Sequence, residues 1–307
     1  MNPRHLISLA DFDVAALRGL LDRADALRPD ALAGTGMRDS LRGRTVCTLF
    51  FEPSTRTRAS FQLAATRLGA DVLAFDAATS SGKKGETAVD TLRNLEAMGV
   101  DCFIVRTAVD GGLHELAAAA KPETRLINAG DGRSNHPTQG LLDMLTIRQR
   151  KGADFGRLSV ALCGDIRHSR VARSDLQALK ALGCTDIRVC GPDALMPDDA
   201  TLDGCRRFVR FDEALAGADV VMMLRLQRER MEQGLVASLE EYFADYGLDG
   251  RRLALAKPDA MVMHPGPMNR GVEIADAVAD GPQSAILAQV ANGVAVRMAA
   301  LQAVFAE

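Results

Sequence analysis

Two hydrophobic periods alternate along the chain. Short apolar runs predict buried β-strands, and stretches whose apolar residues recur every three or four positions predict helices. The predicted strands lie at residues 45–51, 71–75, 101–106, 125–128, 159–163, 186–190, 220–224 and 260–264. The predicted helices lie at 11–27, 87–98, 113–120, 137–150, 169–182, 211–216 and 284–305, and one more runs from the segment 54–58 to Leu68. Asp11 is the predicted capping residue of the first helix.

Strands that alternate with helices predict parallel sheets covered by helices on both faces. One such set precedes the helix predicted at 137–150 and a second set follows it, so we expect an α/β protein with two doubly wound parallel-sheet domains joined by interdomain helices. The predicted boundaries are 1–136 for the first domain and 137–283 for the second, and the final helix occupies 284–307. Binding residues in such folds lie at the carboxyl ends of the strands.

The amino-acid composition argues against several classes of function. The 307 residues are 47% hydrophobic and 25% charged, which is typical of a globular protein with room for two domains. A net charge of -3 and few aromatic residues argue against nucleic-acid binding. We expect no signal peptide, no run long enough to span a membrane, and a cytoplasmic location. The six cysteines lie mostly in apolar segments without a Cys-x-x-Cys pair, so we expect buried, reduced thiols.

Residues 54–58 read Ser-Thr-Arg-Thr-Arg and connect a buried strand to a helix. The first turn of a helix has unpaired backbone N–H groups and a dipole that favours an anion. Hydroxyl and guanidinium groups at this place predict an anion site, although an isolated Ser or Thr here would be an ordinary helix cap. Arg106 ends another predicted strand, so we expect it at the same sheet edge.

The segment Phe-Glu-Pro-Ser-Thr-Arg-Thr-Arg at 51–58 resembles the carbamoyl phosphate-binding signature of the aspartate and ornithine carbamoyltransferases, and His-Pro-Thr-Gln at 136–139 resembles their second signature. The resemblance implies carbamoyl phosphate binding by Ser54, Thr55, Arg56, Thr57, Arg106, His136 and Gln139. Within this set it implies catalytic roles for Arg56, Thr57, Arg106 and His136. It also implies backbone carbonyl contacts from Gly266 and Pro267, a cis peptide before Pro267, and a last helix that packs on the first domain.

Three further segments resemble the aspartate branch of the family. The loop Ser-Ser-Gly-Lys-Lys-Gly-Glu at 80–86 resembles the loop that reaches an adjacent subunit's site, with Ser80 contacting carbamoyl phosphate and Lys84 contacting aspartate. A lysine there attracts a dicarboxylate and repels ornithine. Arg170 matches the residue that holds the aspartate α-carboxylate, and Arg-Leu-Gln at 225–227 matches the β-carboxylate segment. The resemblance assigns aspartate contacts to Lys84, Arg106, Arg170, Arg225 and Gln227, and we expect Glu52 to pair with Arg170 and Arg230 when the domains close.

The expected reaction transfers a carbamoyl group from carbamoyl phosphate to the amine of L-aspartate, an early step of pyrimidine synthesis. It requires no protein nucleophile, and we expect no metal and no cofactor. The shared loop implies a homotrimer, and a dodecamer with regulatory or dihydroorotase-like chains stays open. Two alternatives remain: ornithine or another amine as the acceptor, and a non-catalytic homologue that binds anions within a larger assembly.

Overall fold

The computed structural model describes residues 4–34, 39–76, 85–226 and 238–306. Contacts divide the chain into two units, one made of Met1–Leu145 and Ala291–Glu307 and the other of Thr146–Val290. The two divisions fall inside helices α5 (Pro137–Lys151) and α11 (Ile286–Phe305) rather than in loops. Each unit has its own sheet.

The first unit contains a four-stranded parallel sheet in the order β2-β1-β3-β4. Its strands are β1 (Thr45–Phe50), β2 (Asp71–Asp76), β3 (Cys102–Thr107) and β4 (Arg125–Asp131). The helices that lie wholly within this unit are α1 (Val14–Ala33), α2 (Thr55–Arg67), α3 (Ala88–Ala97) and α4 (Gly112–Ala119). The chain leaves β1 towards β2 on one side and returns to β3 on the other. The carboxyl ends of β1 and β3 therefore form a topological switch point, where α/β proteins bind ligands.

Strand β1 is buried almost throughout because helices cover both of its faces. Cys47 and Leu49 pack with Leu92 of α3 and Leu113 of α4 in one apolar cluster. The alternating residue Phe50 faces the other side and lies beneath α2. Burial on both faces explains why the strands of this sheet read as continuous apolar runs.

The second unit contains a five-stranded parallel sheet in the order β7-β6-β5-β8-β9. The strands are β5 (Ser159–Cys163), β6 (Asp186–Cys190), β7 (Arg206–Phe208), β8 (Val220–Met223) and β9 (Met261–Met263). The helices are α6 (Arg170–Ala181), α7 (Phe211–Leu215), α8 (Leu239–Tyr246), α9 (Gly250–Leu253) and α10 (Asp276–Ala279). Its switch point lies between the carboxyl ends of β5 and β8. The predicted doubly wound α/β class is confirmed.

The start of the first helix differs from the prediction. Asp13, not Asp11, caps α1, since its side chain accepts a hydrogen bond from the backbone N–H of Ala16 at 2.7 Å. Asp11 instead belongs to a short 3₁₀ turn that precedes it. The helix also continues past Pro29 and ends at Gly34, whose φ of 71° is in the left-handed region that favours glycine.

Helix α11 corrects the expectation that no run is long enough to span a bilayer. Among the described residues it is the one helix whose length and composition would allow this, but 67% of that stretch is buried inside the protein. Within the first unit, its C-terminal part accepts a hydrogen bond from Arg125 Nε at the Val304 carbonyl, at 2.8 Å. Gln302 also donates to the Ser40 hydroxyl at 3.0 Å. Its apolar composition therefore reflects a place in the core.

Candidate active site

The start of α2 presents polar groups at the switch point of the first sheet. Ser54 is the N-cap residue, with extended backbone, and among the described residues its side chain makes no hydrogen bond that caps the helix. Thr55, Arg56 and Thr57 form the first turn, in which Arg56 is exposed and Thr57 is buried. Backbone N–H groups at this end of a helix favour an anion, and the arginine adds a positive charge.

The two arginines of this segment have different surroundings. The Arg58 guanidinium carbon lies 5.2 Å from the centroid of the Phe50 ring, in a cation–π arrangement. Arg56 is solvent-exposed, and its positive charge contributes to lowering the pKa of a buried arginine in the first unit, described below. Of the two, Arg56 is therefore the more exposed to solvent at the start of the helix.

Arg106 lies at the same sheet edge, because it is in register with Phe50 on the neighbouring strand. Its side chain is buried, its Nη1 donates to the Ala129 carbonyl at 3.1 Å, and its Nη2 donates to Glu52 Oε1 at 2.5 Å. A backbone hydrogen bond also joins the carboxyl ends of β1 and β3, since Phe51 N–H donates to the Arg106 carbonyl at 2.8 Å. Glu52 and Arg106 thus form an ion pair inside the first unit.

His136 and Gln139 occupy the start of α5. His136 precedes Pro137 and is 4% exposed, and its carbonyl accepts a hydrogen bond from Gln139 N–H at 2.9 Å. The side-chain amide of Gln139 donates to both carboxylate oxygens of Asp143, each at 3.1 Å. Asp143 is fully buried one helical turn further on. This carboxylate was not among the predicted site residues, although the spacing of four residues would have placed the two side chains together.

Arg297 of α11 is a second residue that the sequence analysis missed. Its side chain is 4% exposed and its guanidinium carbon lies 5.0 Å from the centroid of the Phe61 ring. Burial lowers the pKa of Arg297 to about 10, the charge of Asp143 opposes this shift, and the charges of Arg106 and Arg56 add to it. A buried cation therefore lies close to the anion-site residues. The signal in the sequence was an arginine in the middle of an otherwise apolar helix.

In the second unit, two of the predicted aspartate contacts flank its switch point. Arg170 is the first residue of α6, which follows β5, and Ser169 caps that helix by accepting from Ala172 N–H at 3.1 Å. Arg225 follows β8 and its side chain is exposed. Strands β5 and β8 are hydrogen-bonded neighbours. The two arginines therefore stand at the carboxyl ends of adjacent strands.

The turn after β9 is fixed by a buried hydrogen-bond chain. Gly266 N–H donates to His264 Nδ1 at 2.8 Å, so the proton of the neutral imidazole is on Nε2, which donates to Glu273 Oε1 at 3.1 Å. Glu273 Oε1 also accepts from the backbone N–H of Asn269 at 2.5 Å. The peptide between Gly266 and Pro267 is cis, as the sequence analysis expected. Glu273 is thus a third residue that sequence reasoning missed.

Four of the predicted site residues, Ser80, Lys84, Gln227 and Arg230, lie outside the described residues. Arg167 and His168, which lie between β5 and α6, have structural partners in the second unit. Arg167 Nε donates to the Met196 carbonyl at 2.8 Å, and the His168 ring lies 2.9 Å from Asp165 Oδ1 through Nδ1. These contacts hold the loop between β5 and α6.

Comparison with known proteins identifies the family. Residues 4–149 match the model of the aspartate/ornithine carbamoyltransferase carbamoyl-P binding domain, and residues 157–304 match that of the Asp/Orn binding domain. The chain belongs to the aspartate/ornithine carbamoyltransferase family. The resemblance drawn from the motifs is therefore confirmed.

Relatives within this family are similar over nearly the whole length. The chain is 66% identical to an aspartate carbamoyltransferase catalytic subunit of Xanthomonas campestris pv. campestris, covering 97% of this chain and 95% of that protein. It is 65% identical to a catalytic subunit of the same name from Stenotrophomonas maltophilia, with the same coverage. A solved structure of Trypanosoma cruzi aspartate transcarbamoylase in complex with carbamoyl phosphate and aspartate is 34% identical, covers 97% of this chain and 96% of that chain, and superposes with a TM-score of 0.86.

Proposed function

We propose that this protein is an aspartate carbamoyltransferase, which transfers the carbamoyl group of carbamoyl phosphate to the amine of L-aspartate in pyrimidine synthesis. The observation that carries the proposal is the set of donors at one sheet edge of the first unit. Ser54, Thr55, Arg56 and Thr57 open α2, and Arg106 on β3 is in register with Phe50, the last residue of the preceding strand β1. Such an arrangement suits a phosphorylated acyl donor, and the relatives described above carry the same activity in their names.

The chemistry requires charge stabilisation rather than covalent catalysis. The neutral amine of aspartate adds to the carbonyl carbon, the bond from that carbon to the bridging oxygen breaks, and phosphate leaves. The amine loses one proton, which the departing phosphate accepts. Thr57, Arg106 and His136 would donate hydrogen bonds to the carbonyl oxygen as negative charge develops there.

The other predicted residues would bind the two substrates. Ser54, Thr55 and Arg56 would hold the phosphate, with Ser80 and Lys84 of an adjacent subunit. Gln139 and the backbone carbonyls of Gly266 and Pro267 would hold the carbamoyl amide. Guanidinium groups offer a planar two-point match to carboxylates, so Arg170 would bind the α-carboxylate and Arg225, supported by Gln227, the β-carboxylate.

Assembly and location extend this proposal. A loop that completes the site of a neighbouring subunit makes a homotrimer the smallest competent unit, and a cytoplasmic location agrees with the expected free thiols, five of which are buried. The role of Glu52 in domain closure, through Arg170 and Arg230, is also proposed; in this structure Glu52 is paired with Arg106. The assembly mass of the purified protein, measured by light scattering, tests the trimer.

A turnover assay tests the function. The purified protein is supplied with carbamoyl phosphate and either L-aspartate or ornithine, and the carbamoylated product is measured. We expect product with aspartate, and a loss of about 100- to 1000-fold in kcat for Arg56→Ala. Arg42→Ala is the matched control, since Arg42 is an exposed arginine of the same unit that pairs with Asp39. Product with ornithine alone, no product with either amine, or near-normal turnover by Arg56→Ala would each contradict the proposal.

A further inference from the structure

Gln139 is a predicted contact of the carbamoyl group whose side chain can present two different atoms to a substrate. Its amide ends in an oxygen that accepts hydrogen bonds and a nitrogen that donates them. A carbamoyl group carries an NH₂, which requires an acceptor. The affinity of the site therefore depends on which end of this amide faces the ligand.

The partner of Gln139 decides the orientation. The nearest atom of the amide lies 3.1 Å from each carboxylate oxygen of Asp143. A carboxylate only accepts hydrogen bonds, so the nitrogen faces it, because the amide oxygen at this distance would be repelled by both carboxylate oxygens. The amide oxygen of Gln139 is consequently directed away from Asp143.

The charge of Asp143 lies within electrostatic range of a buried cation. Asp143 is fully buried, which would be costly for an isolated carboxylate. Its charge raises the pKa of the buried Arg297, against the larger effect of burial. Arg297 itself lies over the Phe61 ring. Asp143 is thus hydrogen-bonded to a predicted ligand contact in a region that also holds a buried positive charge.

We propose that Asp143 is a positioning residue, which fixes the Gln139 amide so that its oxygen accepts a hydrogen bond from the carbamoyl NH₂. This inference rests on the proposed function and deepens it. Asp143 acts on the carbamoyl group through the Gln139 amide. It therefore supports binding of the carbamoyl group and not binding of the phosphate group.

The test uses two ligands that differ in the amide. Phosphonoacetamide, in which CH₂ replaces the bridging oxygen of carbamoyl phosphate, carries both the anion and the NH₂. Inorganic phosphate carries only the anion. Dissociation constants for both are measured by calorimetry on the intact protein, for wild type, Asp143→Asn, Gln139→Ala and the double variant.

Asp143→Asn keeps the shape of the side chain but removes its charge. Without the charge, the new side chain can offer its NH₂ to Gln139, which then turns its own oxygen inward. Loss of the charge acts on both anions alike, so we expect phosphonoacetamide binding to weaken about tenfold relative to phosphate binding. In the Gln139→Ala background the same substitution should change the ratio of the two affinities by less than twofold.

Controls separate positioning from folding. Glu96→Gln makes the same kind of change in the same unit, at a buried carboxylate that accepts from Thr124 at 2.6 Å, just before β4 begins and so at the opposite edge of the sheet. It should leave both affinities within twofold. Equal losses for the two ligands in Asp143→Asn, or an undiminished effect without Gln139, would overturn the inference.

Failure of the proposed function gives a different result. A wild-type protein that binds neither ligand, and forms no product, would refute the function and the positioning role together. A wild-type protein that turns over and binds both ligands, but whose Asp143→Asn variant shows no selective loss, would refute the positioning role alone.

Discussion

The substitution Gly293→Ala, in the middle of α11, tests how tightly Arg297 is enclosed. A Cβ at this glycine would lie 2.5 Å from Arg297 Nη1 and 3.4 Å from Leu142 Cδ2. An ordinary carbon–nitrogen contact is roughly 3.5 Å, so the guanidinium would have to move by about 1 Å. Its burial and its position on the Phe61 ring leave it little room to do so.

Two opposing effects set the expected stability of Gly293→Ala. Replacing a glycine in a helix interior by alanine gains about 1 kcal/mol. Overpacking in a filled core costs about 1–3 kcal/mol. We expect a net loss of about 1 kcal/mol in the free energy of unfolding.

Gly19→Ala in α1 supplies the matched control. The same substitution in the same unit places a Cβ that meets nothing within 4 Å among the described residues. It should therefore stabilise the protein by about 1 kcal/mol. Urea unfolding followed by circular dichroism measures both variants, and we expect them to differ by about 2 kcal/mol. Equal stabilisation by the two substitutions would refute the enclosure of Arg297.

Two further predictions concern other parts of the chain. Glu273→Ala should destabilise the second unit by about 2–4 kcal/mol, because the buried Nε2–H of His264 and the N–H of Asn269 both lose their acceptor. Tyrosine fluorescence during urea unfolding measures this, since both tyrosines lie in that unit, and wild-type stability would contradict it. Burial and two nearby arginines lower the pKa of His5 to about 4, and its Nδ1 accepts from Leu126 N–H at 3.1 Å. The unfolded chain binds this proton more readily, so stability should fall as the pH drops from about 6.5 towards 4. His5→Gln should reduce that fall, and an unchanged pH dependence of unfolding would rule out His5 as its source.

The elements that could be predicted from the sequence are those with a clear pattern of apolar residues. Strand β5 and strand β6 were predicted to the residue because helices cover both of their faces, which produces continuous apolar runs. Strand β7 was missed, since it is a short edge strand that begins with two exposed arginines, Arg206 and Arg207. The short helices α8, α9 and α10 were missed as well, because a few turns present too little periodicity to recognise.

Site residues could be predicted where a motif of adjacent residues in the sequence marks them. They could not be predicted where only tertiary contacts bring them together. The segment at the start of α2 and Arg106 were expected at one sheet edge, and the register of β1 with β3 accounts for their proximity. Arg297 and Glu273 were missed because each contacts a partner brought near by folding, whereas Asp143, one helical turn from Gln139, was missed although its spacing was visible in the sequence. Between Asp11 and Asp13, apolar spacing could not choose the helix cap, since the choice depends on a single hydrogen bond.

The hydrogen-bond chain through His264 ties the start of the turn to its far end. One ring nitrogen accepts a hydrogen bond from the Gly266 N–H, and the other donates one to Glu273. Glu273 in turn accepts a hydrogen bond from the Asn269 N–H, so one buried ring cross-links three positions of the turn. The role of this histidine in the structure is therefore architectural.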